Sequence, residues 1–191
     1  SPNISYNVSI RGGQGLNITS EAPYSTNIFG NLITESRNHW DGQNLGRGIL
    51  IDGADLGKVY ENIITHSTDG CENYAIELSS DGNNKRLDFY NNIVYDWNDK
   101  TCSGGSSAIL SIAKPAIGPI TVHHNKFVHT SSNLIAEYLG TAQVPGSWLS
   151  YANNNYWSTK FLSSGWLYKD RRNVGYTPSQ WQSKKDSTAI F

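Results

Sequence analysis

No stretch of eighteen apolar residues occurs in the sequence, so no membrane-spanning helix is expected. Helical periodicity is missing as well, which argues against a helical bundle. Charged residues make up only 16% of the 191 positions and the formal net charge is −1, a balance that calls for neither nucleic acid nor an anionic membrane as partner. There is no nucleotide-binding glycine loop, no catalytic-triad spacing and no basic groove. His-x-x-x-His spacing is also missing, and two cysteines alone cannot build a structural zinc site. No leader peptide is read at the start, where Ser1 looks like the beginning of a processed or trimmed chain.

Eighteen glycines, no methionine and many Asn and Ser describe a turn-rich, all-β chain with the surface of a secreted or periplasmic protein. The decisive feature is a repeat. TNIFGNLITES (26–36) returns as VYENIITHS (59–67), LDFYNNIVYDW (87–97), ITVHHNKFVHT (120–130) and LSYANNNYWST (149–159). Aligned on Asn31, Asn62, Asn92, Asn125 and Asn155, the steps are 31, 30, 33 and 30 residues. The position three before the Asn is Ile28, Val59, Phe89, Val122 and Ala152; the position two after is Ile33, Ile64, Val94, Phe127 and Trp157. Both columns are apolar, as buried strand faces require, and the Asn between them marks a corner that tolerates a left-handed bend.

A second strand set falls between these stretches: GILID (48–52), AIELS (75–79), AILSI (108–112) and LIAEY (134–138), aligned on Ile49, Ile76, Ile109 and Ile135. A period near 30 residues with three short strands in each turn predicts an all-β, three-sheet solenoid of about five to six coils, a right-handed parallel β-helix. Stacked Asn side chains would donate to one neighbouring coil and accept from the other, satisfying buried amides. Residues 1–25 read as an incomplete first coil, 26–159 as the repeated coils and 160–191 as a C-terminal loop and cap, all one domain. Cys71 and Cys102 lie one period apart in equivalent loops, and a disulfide between them is expected to contribute roughly 3–4 kcal/mol.

The repeat resembles the right-handed parallel β-helix superfamily of pectate-lyase-like, secreted, carbohydrate-active proteins. NNNYW (153–157), a loop, and then YTPSQWQSKKDSTAIF (176–191) are similar to the closing segment of many bacterial members, with Trp181 on the apolar side of a short helix. The resemblance implies a monomer acting on an extracellular, possibly acidic polysaccharide as a lyase or a glycoside hydrolase; the alternative is a non-catalytic carbohydrate-binding or surface β-helix, or part of a larger enzyme. The Asn-Thr-Asp, Asp-Asp and Gly-His-Gly signatures of polygalacturonase-like members are absent, as is the Arg-x-Pro-x-x-Arg stretch of pectate lyases.

Alternation on the second strand set sends Ile49, Ile51, Ile76 and Leu78 inward and Asp52 and Glu77 outward, with Glu137 beside them if its coil keeps register. Two outward carboxylates on neighbouring coils suit acid and base of a glycosidase, or a Ca²⁺ that neutralises a uronate; solvated surface charges are the plain alternative. A lyase needs a cation beside a base, and Lys85, Arg86 and Lys114 are the candidates. The candidate catalytic set is thus Asp52, Glu77, Lys85 and Lys114. Loops carrying Trp40, Arg47 and Trp97 are expected to rise beside them and, with Arg86, to bind substrate. His123 and His124 are adjacent on one strand, so alternation allows only one of them into any given site.

Overall fold

The computed structural model describes residues 3–10, 14–36, 45–67, 72–78, 86–97, 107–112, 118–130, 137–139, 148–158, 169–170 and 175–191. Taken in chain order, the strands recur as a repeating group. The first are β1 (Asn3–Ser5), β2 (Val8–Ile10), β3 (Gln14–Phe29) and β4 (Leu32–Ser36), followed by β5 (Leu45–Tyr60) and β6 (Ile63–Ser67). Next come β7 (Glu72–Leu78), β8 (Leu87–Tyr90), β9 (Ile93–Tyr95), β10 (Ser107–Ile112), β11 (Ile120–His123) and β12 (Lys126–His129). The last are β13 (Glu137–Leu139), β14 (Leu149–Ala152), β15 (Asn155–Ser158) and β16 (Lys169–Asp170), and helix α1 spans Pro178–Lys184.

These strands form three parallel sheets, an arrangement consistent with a β-helix solenoid. The first runs β1, the end of β3, the end of β5, β8, β11 and β14. The second runs from the beginnings of β3 and β5 through β7, β10 and β13 to β16. The third is β2, β4, β6, β9, β12 and β15. Because β3 and β5 are 16 residues long, each passes through the bend between the second and first sheets without a break. The core between the sheets is continuous: Ile28, Val59 and Phe89 from the first, Ile51, Ile76 and Ile112 from the second, Ile33, Ile64 and Phe127 from the third.

The corner between first and third sheets is a ladder of asparagines, each nearly or wholly buried from Asn31 onward. Asn31 Nδ2 and backbone N both donate to Asn62 Oδ1, at 2.9 and 3.0 Å. The same pair of bonds joins Asn62 to Asn92 and Asn92 to Asn125. Each Nδ2 also donates to the carbonyl two residues back and to a carbonyl of the preceding coil, as Asn92 does to Tyr90 and Val59. All the amide dipoles point the same way, positive end toward later coils, and the last rung meets a carboxylate. Asn154 Nδ2 donates to Asp186 Oδ2 at 2.9 Å, a charge-assisted bond that ends the row with opposite charge. Asp186 is fully buried and also accepts from Tyr156 Oη and Thr188 Oγ1.

Three expectations are corrected here. The fifth rung is Asn154 and not Asn155: Asn125 donates to Asn154 Oδ1 from both N and Nδ2. The buried columns therefore continue into Tyr151 and Tyr156, while Trp157 is 47% exposed. The left-handed bend is not made by the ladder residue but by the one before it: Gly30, Glu61, Asn91, His124 and Asn153 all have φ between 55° and 65°. The ladder also begins earlier than the repeat suggests. Tyr6 has φ 57°, and Asn7 Nδ2 donates to Asn31 Oδ1 at 3.1 Å, so the segment before residue 25 already supplies a corner.

Helix α1 closes over the last coil. Thr177 caps it, accepting from Gln180 N while the Gln180 side chain accepts from Thr177 N, and Pro178 occupies the first turn where no N–H is needed. Trp181 is fully buried and its ring stands edge-on to Tyr151 and Tyr156 at 5.1 and 5.9 Å. Cys71 and Cys102 lie outside the described residues, so the disulfide expectation does too.

Candidate functional site

On the second sheet, the described side chains of β7 and β10 are buried on both faces. Residues 74–78 and 108–112 are all buried, whereas strands of the first and third sheets alternate with exposed or half-buried positions. Its register departs from the expected alignment. Ile49 pairs with Ile76 as expected, but Ile76 pairs with Leu110 and Leu110 with Glu137, so Tyr138 and not Glu137 continues the row of Leu50, Glu77 and Ser111. The physical reason is a slip in the pleat. Ala75 and Ile76 both join the core, as do Ile109 and Leu110. At the equivalent place in the previous coil stands Gly48, where an added Cβ would meet Ala75 O at 2.5 Å and Ile64 Cγ2 at 2.8 Å. Two successive inward residues re-aim everything before them.

Arg47, just before that slip, consequently shares the outer side with Glu77. Their side chains form an ion pair through Arg47 Nε and Glu77 Oε2, with only 16% and 7% of the two side chains exposed. A charge pair kept out of water on the outward side of a sheet costs desolvation that a solvated surface pair does not. Glu77 is therefore not one of the freely solvated carboxylates that stud such faces. It is a covered carboxylate held by a guanidinium, in the row with Leu50 and Ser111.

The other sequence candidates fall in different places. Asp52 pairs through its backbone with Thr19 on β3, one residue beyond Ile51; its side chain lies outside the described residues. Lys85, Lys114 and Trp40 also lie outside them. Arg86 is exposed at the start of β8, where its carbonyl accepts from Gly57 N at 3.0 Å on the first sheet. Trp97 is not on a loop wall. It is 1% exposed and part of the core, because the left-handed Asp96 (φ 46°) turns the chain inward after β9. Asp96 is itself tied down by Thr130, whose N and Oγ1 donate to its two carboxylate oxygens at 2.6 and 2.7 Å.

Two surface features escaped the sequence reading. On the outside of the first sheet, Phe29, Tyr60, Tyr90 and His123 stack ring on ring at 5.0–5.1 Å and nearly parallel, the spacing of the strands that carry them. Their faces are occupied by one another, so this stack offers only edges to a sugar. On the outside of the third sheet, Thr65, Tyr95, Val128 and Trp157 share a row, with Tyr95 38% and Trp157 47% exposed. Beside them runs Val8, Leu32, Ile63 and Ile93, of which Val8, Ile63 and Ile93 are exposed. The period-two pattern at each corner carries this signal, once the rung is placed on the right Asn.

Comparison with family models, curated proteins and solved structures yields no match. Among the described residues no group of three or more His, Cys, Asp or Glu is placed to hold a metal ion, so the Ca²⁺ expectation has no ligand set to rest on there.

Proposed function

We propose that this chain is a right-handed parallel β-helix of the pectate-lyase-like kind, about five to six coils, that acts outside the cytoplasm on an acidic polysaccharide. The observation that carries the reading is the covered Arg47–Glu77 pair on the outer side of the second sheet. A uronate carboxylate is a geometric match for a guanidinium and competes with Glu77 for it. Released from Arg47, Glu77 is a carboxylate in a shielded place, suited to take a proton. In a lyase that proton comes from the carbon beside the uronate carboxylate; the C–H electrons become the new double bond as the glycosidic C–O bond breaks and its oxygen is protonated. In a glycoside hydrolase the same carboxyl group works opposite a second one on the sugar's other face, and Asp52 is the sequence candidate for it.

The test is a panel of uronate-containing and neutral polysaccharides, following absorbance of unsaturated products and release of reducing ends, with and without chelator. Unsaturated product marks a lyase, reducing ends alone a hydrolase. Turnover that falls at least a hundredfold in Glu77→Gln, with the circular dichroism spectrum unchanged, supports the assignment; turnover retained in the folded variant removes Glu77 from the chemistry.

A second reading is favoured by the exposed Tyr95 and Trp157. Two strand spacings separate them, roughly 10 Å, and their exposed rings suit a glycan lying along the solenoid. In that case the chain binds polysaccharide without cleaving it, and Trp157→Ala rather than Glu77→Gln lowers retention on the polymer.

A further inference from the structure

We infer that His123 and His124 form a surface site for one divalent ion of the copper or nickel type, with Asp88 as its positioning carboxylate. On a regular strand these neighbours would point to opposite faces. They do not, because His124 occupies the left-handed corner position (φ 56°), and its ring folds back to stand edge-on to His123 at 5.2 Å between centroids. The two Nδ1 atoms come to 2.9 Å.

The protonation pattern of His123 follows from its other nitrogen. Nε2 lies 2.9 Å from Asp88 Oδ1, which as a carboxylate can only accept, so Nε2 carries the hydrogen. In the neutral imidazole Nδ1 then keeps its lone pair and accepts a hydrogen bond from His124 Nδ1–H, the hydrogen that an incoming ion displaces to solvent. Asp88 is held in turn by Thr121, whose hydroxyl donates to the same oxygen at 2.7 Å, and Tyr90 stacks flat on the His123 ring at 5.1 Å. A carboxylate on the far nitrogen of a ligating imidazole is the usual outer support of a metal-bound histidine: it fixes the tautomer and raises the basicity of the ligand. Both side chains of the Asp88–His123 pair are about one-third exposed and His124 is exposed, so an ion reaches the site from solvent and completes its shell with water.

The ligand type selects the ion. Imidazole nitrogen suits Cu²⁺, Ni²⁺ and Zn²⁺, and the order of affinities among these ions places Cu²⁺ first. The inference does not depend on the Arg47–Glu77 reading, which concerns a different sheet.

The experiment is a titration of the chain with glycine-buffered Cu²⁺, read by electron paramagnetic resonance and by competition with Ni²⁺ and Zn²⁺. Two variants keep the fold. His124→Asn puts at the corner the residue that Asn91 and Asn153 already supply in neighbouring coils, and His123→Phe retains the ring stack. The expected result is one equivalent of Cu²⁺ with two imidazole nitrogens in its equatorial plane, bound at least tenfold more weakly by each variant, and about tenfold more weakly by Asp88→Asn. Absence of uptake, uptake unchanged in both histidine variants, or Zn²⁺ outcompeting Cu²⁺ would each overturn the assignment.

Discussion

The Asn corner and the second sheet solve the same problem, that of polar groups kept from water, in opposite ways. At the corner each buried amide is satisfied by identical neighbours above and below, and the row ends on Asp186, so every coil has the same requirement and the same residue. On the second sheet, polar groups on the outer side are buried locally, Glu77 with Arg47 and Ser111 in the next coil, and the described row of Leu50, Glu77 and Ser111 repeats no side-chain type. Repetition at the corner is what stacking demands; individuality on the second sheet is what a site demands. The difference separates the part of the molecule that holds the fold from the part free to specialise.

Replacing a middle rung is the strongest way to break the contrast. Asn92→Leu removes an acceptor used by both Asn62 N and Nδ2 and takes a donor from the carbonyls of Val59 and Tyr90. With each buried unsatisfied group costing about 1–3 kcal/mol, a loss above about 4 kcal/mol is expected in urea unfolding. A loss under 1 kcal/mol would mean that the ladder is incidental to stability.

On the second sheet the expected effect is smaller and depends on which partner is left. Glu77→Gln strands the Arg47 guanidinium where little water reaches it and should cost about 3 kcal/mol. Replacing both, Arg47→Met with Glu77→Leu, should recover most of that loss, because an apolar pair pays no desolvation. If the double variant is as unstable as the single one, the pair is structural in the way the ladder is, and the comparison fails.

How much of this was legible in the sequence follows the same division. Asn31, Asn62, Asn92 and Asn125 are readable because stacking repeats them at fixed offsets between apolar columns. The row of left-handed residues is not, since Tyr6, Gly30, Glu61, Asn91, His124 and Asn153 share a conformation but no side-chain type. For that reason the contact between His123 and His124 was invisible to simple alternation. The slip at Ala75–Ile76 defeats alternation too, because two small or apolar neighbours in a row look like any buried strand. Trp97 was misplaced for lack of any signal that Asp96 bends the chain inward.

Alkaline pH offers a milder probe of the capped end of the ladder. Burial, and next the nearby Asp186 carboxylate, push the Tyr156 hydroxyl well above its ordinary value. The folded state thus keeps its proton where the unfolded chain, with a pKa near 10, has lost it. Stability contributed by the neutral phenol is fully present below about pH 10 and is lost as pH rises from there toward the folded value. Tyr156→Phe should cost about 1 kcal/mol at pH 7 through the missing bond to Asp186, and should show a shallower decline above pH 10. An identical alkaline slope in both proteins would assign the loss to other tyrosines.

The smallest expected effect decides the register of the last coil. The run Asn153–Asn155 offers three candidates for the rung, and alignment on Asn155 is self-consistent in sequence, since it places apolar Ala152 and Trp157 in the buried columns. Alignment on Asn154 instead buries Tyr151 and Tyr156 and turns Trp157 out to 47% exposure. Side chains one residue apart on a strand face opposite ways, so the two registers make opposite demands on neighbouring positions. With Asn154 as the rung, Trp157→Ala should change unfolding free energy by no more than about 0.5 kcal/mol, as surface substitutions do. Tyr156→Ala, which empties a fully buried site between Phe127 and Trp181, should then cost about 3–5 kcal/mol, the range for removing a large aromatic from a core. Reversal of the two values would restore Asn155 as the rung, pull Asp186 off the end of the ladder, and leave the last amide of the row without the carboxylate that now completes it.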